Sequence, residues 1–389
     1  MNKVPHCHLD YFFDYGSSTP VDPNVIDRIN DVLSNHFINA NAPYDQAQST
    51  SHLIEEACFH LKSLIHAEDQ SIIWTSGATE SINLALSGCA HFYKRFKRHI
   101  ITTTIEHSAT KQTLKALAKE GFDIDYIPVD SNGIIDLEIL KQTIRPDTLL
   151  VSVIGVHNEL GVVQPLKEIG EMTHHHGIIF HVDAAQAIGK IAIDVKKMHI
   201  DLLSISAHKC YGPKGVGALY RRTDPLVGLE PIIYGGAQQA SIRAGTIPTH
   251  QIVGMGQAML QIQKSFETDL SSIQVLANKL QKGIMELPIE TTIYGKDSYR
   301  VPHIMSFRCH GVDQQLLLDQ LKPFMLSSHS SCVYQQDARH HAIYACTNDI
   351  QSVKESIRIG IGRYTTEEKV IQLLARLKDA ISQILSKTP

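Results

Sequence analysis

Lys209 stands in the stretch Ser204-Ile-Ser-Ala-His-Lys-Cys-Tyr-Gly-Pro-Lys-Gly-Val-Gly217, directly after the apolar run Asp201-Leu-Leu-Ser-Ile205. An amine at the end of a strand, set among small and hydroxyl residues, is placed by backbone and not by a mobile helix face. That placement suits a lysine which must form a Schiff base. A strand followed by an ordinary solvated turn explains the same stretch equally well. Other chemically capable residues follow apolar runs in the same manner. They are Thr79 in Ser76-Gly-Ala-Thr-Glu80, His107 after Ile100 to Ile105, Asn158 after Thr148 to Ile154, and Asp183 and Gln186 after Gly177 to Val182. Ser206 and His208 flank Lys209 itself.

Each type has a use around a substituted pyridine ring. Asp183 beneath the ring nitrogen keeps it protonated and electron-accepting, Gln186 can hold a phenolic oxygen, and His107 can stack on the ring face. Thr79, Ser206 and His208, with Thr246 supplied by a second subunit, can hold a phosphate, and Arg358 can hold a carboxylate. These are the parts of a pyridoxal-phosphate enzyme acting on an amino acid.

The elements that must position them alternate. Strands are expected at 71–75, 100–105, 126–129, 148–154, 177–182, 201–205 and 216–222, with helices at 51–66, 81–93, 110–120, 137–143 and 166–176 between them. This pattern predicts a mostly parallel sheet covered by helices, in which ligands gather at the carboxyl ends of the strands. At Ser76 to Glu80 a strand gives way to a helix whose first amides, Ala78 and Thr79 among them, have no internal partners, which makes a physical anion site. An N-terminal cap by Thr79 or Ser76 is the plainer reading. Leu9 to Gly16 reads as a short strand, Val21 to Leu33 as a helix, and Ser34 to Thr50 as a loop. Arg243 and Thr246 beside Gly245 form another phosphate-friendly turn, or an ordinary connector. Beyond it come helices at 249–264 and 271–287, with 254–287 a natural long helical link, continued by 289–293, then strands at 304–307 and 356–363 and a helix at 311–322. A final helix at 366–385 opens on Thr365-Thr-Glu-Glu, a capping pattern. We expect a large cofactor-binding domain over 15–260 and a smaller α/β domain from 1–14 and 261–389.

The chain has 389 residues, 43% hydrophobic and 20% charged, with net charge −4. That describes a globular protein with no broad basic face for nucleic acid. No apolar run reaches membrane-spanning length and no signal-type segment opens the chain, so a cytoplasmic location is expected. Cysteines 7, 58, 89, 210, 309, 332 and 346 have no CxxC spacing, which indicates neither a disulfide scaffold nor a zinc knuckle. His174-His-His176 suits a helix C-terminus in solvent better than one ion, and no metal is expected there or at His6-Cys7-His8.

The chain resembles the cysteine desulfurases of the class V aminotransferase family, fold-type I pyridoxal-phosphate enzymes. The resemblance rests on Asp14-Tyr-Gly-Ser-Ser-Thr-Pro20, Thr75-Ser-Gly-Ala-Thr-Glu80, Glu106-His107, Asn158-Glu-Leu-Gly161, His181-Val-Asp-Ala-Ala-Gln186, Ser206 to Gly215, Arg243-Ala-Gly-Thr246, His250-Gln-Ile-Val-Gly254 and Arg358 before Gly-Ile-Gly-Arg363. It implies a seven-stranded, mostly parallel sheet sandwiched by helices plus a smaller α/β domain, with pyridoxal 5'-phosphate carried by Lys209. It also implies contacts to the cofactor from Ala78, Thr79, His107, Asn158, Asp183, Gln186, Ser206, His208 and Thr246. Arg358 and Asn158 would bind substrate. Lys209 would move the α-proton of L-cysteine, His107 would take the thiol proton or assist the leaving group, and Cys332 would attack the substrate sulfur and keep it as a persulfide.

A homodimer and a sulfur-accepting or iron–sulfur scaffold partner are implied as well, the sulfur serving cluster assembly or tRNA thiolation. Cys210, beside Lys209, is the competing thiol, but its neighbours read as a packed turn. The chain departs from the family pattern around Cys332, where His329 replaces a common glycine and Ser331 an alanine. It departs again at His157, where the family has the first of two asparagines. These changes leave the cofactor residues in place and bear on sulfur delivery and substrate. Another class V reaction, by a selenocysteine lyase or an aminotransferase, and a sulfur-transfer scaffold of weak activity are the alternatives.

Overall fold

The computed structural model describes residues 9–68, 71–328 and 341–386. After a 3-10 turn at Leu9–Tyr11 come α1 (Pro23–Asn35), α2 (Ala47–Ile65), β1 (Ile72–Thr75), α3 (Ala78–Asn83) and, through a π-helical stretch at Leu84–Gly88, α4 (Cys89–Tyr93). The alternation continues with β2 (His99–Thr103), α5 (Ser108–Lys119), β3 (Asp123–Ile127), α6 (Leu137–Thr143), β4 (Thr148–Ile154), α7 (Leu166–His175), β5 (Ile179–Asp183), β6 (Leu202–Ser206) and β7 (Gly217–Arg221). These seven strands form one sheet in the order β1-β7-β6-β5-β4-β2-β3. All its pairings are parallel except those of β7, which runs antiparallel to both neighbours.

Adjacent residues of each central strand go to opposite faces, as a pleated strand dictates. Ile101, Val151, Phe180 and Leu203 join one core with Trp74 and residues of α2. Their neighbours Ile100, Leu150, Ile179 and Leu202 join another with Leu84, Leu86 and Leu114. Both faces are therefore covered, and the near-continuous apolar runs follow from that.

The rest of the chain comprises α8 (Thr249–Met285), β8 (Thr291–Ile293), β9 (Ile304–Cys309), α9 (Gln314–Gln320), α10 (Ala342–Thr347), α11 (Ile350–Lys354), β10 (Ser356–Gly360) and α12 (Glu367–Leu385). The last three strands form an antiparallel sheet in the order β10-β9-β8. Its core gathers Phe13, Ile273, Leu280, Phe307, Leu317, Ile359 and Leu377. Thr366 caps α12, and Glu367 and Glu368 lie in its first turn, where the helix dipole favours negative charge.

Several expectations change, among them the strand expected at 126–129, which is Asp123–Ile127, and the strand expected at 356–363, which ends at Gly360. Leu9 to Gly16 makes only single-residue bridges, Phe12 to Met325 and Asp14 to Gly360, in place of a strand. The loop expected to Thr50 ends earlier, because Ala47 and Thr50 are buried on the first turns of α2. The helices expected at 249–264 and 271–287 run together, as the long helical link expected over 254–287 requires, into a single helix of 37 residues. Its polar middle breaks the apolar period because the helix changes cores there. Ile252, Met255, Met259 and Ile262 pack into the core of the large sheet, while Ile273, Leu276, Leu280 and Ile284 pack into that of the small one. The expected boundary at 260/261 falls inside this helix.

Candidate active site

All five residues of β6 are buried, and the strand runs straight into a 3-10 turn at Ala207–Lys209. The turn is closed by Cys210 N–H and Gly212 N–H donating to Ala207 O at 3.1 and 3.0 Å. Lys209 is thus delivered by the backbone at a strand end. Its Nζ donates to Gly16 O at 2.8 Å and Ser17 O at 2.6 Å. One strand over, Asp183 ends β5, 2% exposed, with Ala185 N–H donating to its Oδ1 at 3.0 Å. Burial pushes the Asp183 carboxyl up, against the pull of His107 and Lys209.

His107 caps α5, its Nδ1 accepting from Ala109 N–H at 3.1 Å. Burial holds this imidazole below its ordinary range. With Nδ1 occupied as an acceptor, the neutral ring carries its proton on Nε2. Opposite, β1 ends in Ser76-Gly77 and α3 begins at Ala78. Gly217 at the start of β7 makes this turn possible. A Cβ there would meet Ile205 O at 2.4 Å and Gly77 Cα at 2.7 Å.

These strand ends enclose a cavity of about 470 Å³, a size that suits a small ligand. Its walls include Ala78, Thr79, His107, Asn158, Asp183, Gln186, Ser206, His208, Lys209 and Arg358. Arg358 comes from the other sheet, on β10, and is 1% exposed. Its Nη1 donates to Asn158 O at 2.8 Å, and its Nη2 to Asp14 Oδ1 at 2.7 Å and Ser17 Oγ at 2.9 Å. Gly16 lies against it, where a Cβ would stand 3.1 Å from Arg358 Cζ.

Every site residue expected from the sequence lines this one cavity except two. Thr246 is exposed and outside the wall of its own chain. Cys332, with its neighbours His329 and Ser331, lies outside the described residues. Arg243 is engaged by a carboxylate of the protein itself. It pairs with Glu80 at 2.8 Å and ties the connector to the start of α3. Cys210 is buried, its thiol donates to Ser206 O and Ala207 O, and burial pushes it up to about 12, so it is packed and inert.

Other polar groups behind the wall carry less signal in the sequence. His157 is buried, donates from Nε2 to Ile105 O at 2.9 Å and accepts at Nδ1 from Glu159 and Leu160 N–H. It closes the loop that presents Asn158. Glu106 Oε1 accepts from Thr103 Oγ1 at 2.6 Å and Ile154 N–H at 3.0 Å, and burial pushes its carboxyl up to about 8. Glu159 and His341 form a buried pair at 3.1 Å. Lys190, 6% exposed, is the only charged residue in Ala187-Ile-Gly-Lys-Ile-Ala-Ile193, and that isolation in an apolar run is the signal by which it could have been found.

The family model described as aminotransferase class-V matches residues 11–373. The chain is 41% identical over 379 residues to a protein named "Cysteine desulfurase, mitochondrial" from Saccharomyces cerevisiae, covering 97% of this chain and 76% of that one. It is 39% identical over 383 residues to "Cysteine desulfurase IscS" from Dechloromonas aromatica, covering 98% and 94%. Among solved structures, a "NifS-like protein" superimposes with TM-score 0.89 at 32% identity, over 96% of this chain and 99% of that one. A structure titled "SspA in complex with cysteine" does so with TM-score 0.81 at 31% identity, over 92% and 100%. Among the described residues no helix is long and apolar enough to cross a membrane.

Proposed function

The chain belongs to the aminotransferase class-V family, and from that premise we propose that it is a cysteine desulfurase, which takes sulfur from L-cysteine and leaves L-alanine. The observation that carries this reading is the meeting of an amine, a buried carboxyl, an imidazole and a guanidinium around one cavity. The family is generally pyridoxal-phosphate dependent, and the residues of this cavity fit that group. Asp183 is a buried carboxyl for which, among the described residues, only a backbone amide provides a hydrogen bond, which complements a protonated ring nitrogen. In this reading Ala78, Thr79, Ser206 and His208 hold the phosphate, Gln186 the ring oxygen, His107 and Asn158 the remaining ring surface, and Lys209 the aldehyde carbon. When bound, the cofactor supplies the electron sink that makes the α-proton of the amino acid acidic and its carbon–sulfur bond labile.

The protein's own groups do the rest. Arg358 binds the substrate carboxylate as a fork pre-set by Asp14, Ser17 and Asn158. The Lys209 amine leaves the carbonyls of Gly16 and Ser17 and carries the α-proton. His107, its Nδ1 already occupied by Ala109 N–H, presents Nε2–H as a hydrogen-bond donor that orients the substrate thiol, without giving up the proton. The thiolate of Cys332 bonds to the substrate sulfur as the carbon–sulfur bond breaks. The electron pair stays with the three-carbon fragment, which takes up a proton and leaves as alanine, and Cys332 keeps a persulfide. A homodimer, in which Thr246 reaches a neighbour's phosphate, belongs to the same proposal. So do a sulfur-accepting or iron–sulfur scaffold partner and a cytosolic setting.

Product analysis with L-cysteine and a thiol acceptor tests it. The native protein should release alanine and sulfide in equal amounts. Cys332→Ser should lose sulfur release by about 100-fold or more while keeping the visible band of the bound cofactor. Undiminished sulfur release by that variant removes Cys332 from the mechanism. Turnover only with L-selenocysteine, or only with a keto acid present, overturns the desulfurase reading.

A further inference from the structure

Lys190 follows β5 in a run of tight turns, in which Ala187 N–H donates to Ala184 O and Lys190 N–H to Ala187 O. Gly189, at φ +74°, supplies the left-handed step just before it. Among the described residues no carboxylate pairs with this buried ammonium. It instead donates to two oxygens, Gln186 Oε1 at 3.0 Å and the main-chain oxygen of Lys209 at 3.2 Å. Gln186 in turn donates from Nε2 to Gly16 O at 2.6 Å, the same oxygen that accepts from Lys209 Nζ at 2.8 Å. Four hydrogen bonds therefore close a circuit through Lys190, Gln186, Gly16 and Lys209.

The circuit determines which way the Gln186 amide points. An ammonium has only donors, so the end of the amide that meets Lys190 is the oxygen. A carbonyl has only acceptor capacity, so the end that meets Gly16 O is the NH2 group. The two constraints agree, and they leave the second N–H of Gln186 for the cavity whose wall it forms. A cation on the amide oxygen also polarises that N–H into a better donor.

We propose that Lys190 is a positioning residue, which acts through the Gln186 amide and the Lys209 carbonyl to present a hydrogen-bond donor to the phenolic oxygen of the bound cofactor. The proposal rests on pyridoxal phosphate occupying the cavity. Its chemistry is electrostatic. A cation and an aligned donor beside that oxygen both favour its deprotonated form. Burial lowers Lys190 itself to about 8. Cys210, His208 and His303 feel its charge, none of them hydrogen-bonded to Gln186, and Lys209, Asp269 and Arg363 line the same small cavity beside it.

The test is a pH titration of the visible band of the holoenzyme in Lys190→Met, Lys190→Arg, Gln186→Ala and the Lys190→Met/Gln186→Ala double variant. Methionine matches the lysine in length and suits a buried site. Its band midpoint should rise by about one pH unit, a tenfold change in proton affinity. Lys190→Arg keeps charge and donors and should stay within about 0.3 unit of native. The two single shifts should not add in the double variant, because Lys190 acts through Gln186. A folded, loaded Lys190→Met protein with an unchanged midpoint overturns the proposal, as does full additivity. If Lys190→Met is insoluble, Lys190→Gln is titrated in its place with the same expected direction. Failure of the native protein to develop the visible band with pyridoxal phosphate would instead defeat the cofactor reading.

Discussion

The two sheets contribute to the cavity in opposite ways. The seven-stranded sheet supplies many groups, each at a strand end, and needs little more than its topology to bring them together. The three-stranded sheet supplies Arg358 from within β10, and that one side chain is held by Asp14, Ser17 and Asn158, all reached from outside its own sheet. A repeated architecture thus places several residues approximately, whereas a specific network places one residue accurately.

Acid probes the buried imidazoles of this framework. His157, His181 and His303 are buried and held down to about 4, 3 and 3. Each has a folded pKa below its unfolded value, so the unfolded chain binds more protons between them. Stability from these groups is present above about pH 6.5 and is lost as pH falls. Glu106 and Asp183, pushed up by burial, act in the opposite sense over part of the same window. Burial holds His208 down to about 4 as well, and the imidazoles outnumber the two carboxyls, so stability should fall from about pH 6.5 toward about 4.5. Denaturant unfolding across that range should show it, and a flat profile would mean that these imidazoles open to water before the fold does.

Arg358→Ala should lower kcat/KM for L-cysteine by about 100-fold, the worth of charge-assisted bonds to a carboxylate. The visible band of the bound cofactor should remain. Loss of the band along with activity would erase the division of labour between the sheets. Gly16→Ala probes the same fork more gently. Its methyl, 3.1 Å from Arg358 Cζ, should raise KM by about 10-fold with little change in kcat, because it shifts the guanidinium without removing it. An unchanged KM would show that the fork yields without cost.

The contrast also explains what could be read in advance. Thr148 to Ile154 and Leu137 to Thr143 match their observed elements because local period and burial agree there. Lys209, Asp183 and His107 were legible because strand–helix alternation alone puts them at one edge. Arg358 sits inside a strand, and nothing in Ser356-Ile-Arg-Ile-Gly360 distinguishes it from an edge residue facing water. Its chemistry suits a carboxylate, but only the resemblance gave it the substrate-binding role. The pairing of Glu159 with His341 was hidden for a different reason, since the two are far apart in sequence and each is ordinary in its own context. The long helix was legible as a link over 254–287, but its polar waist carries no apolar period, so the exchange of one core for the other along it shows only in the fold.

That waist is where α8 is gripped. Asp269 receives Arg363 at 2.8 Å, the same guanidinium reaches Asp22 at 2.6 Å, and it lies over the ring of Tyr211, two residues beyond Lys209. At 1.5 Å per residue the helix is about 55 Å long, with the clamp near its midpoint. It is in effect a gauge rod pinned at its fulcrum. A tilt of about one degree would move either tip by only about 0.5 Å, and points close to the pin by far less. Tyr211, and with it the turn that carries Lys209, is anchored beside that pin, the part of the rod that a lean on either end displaces least.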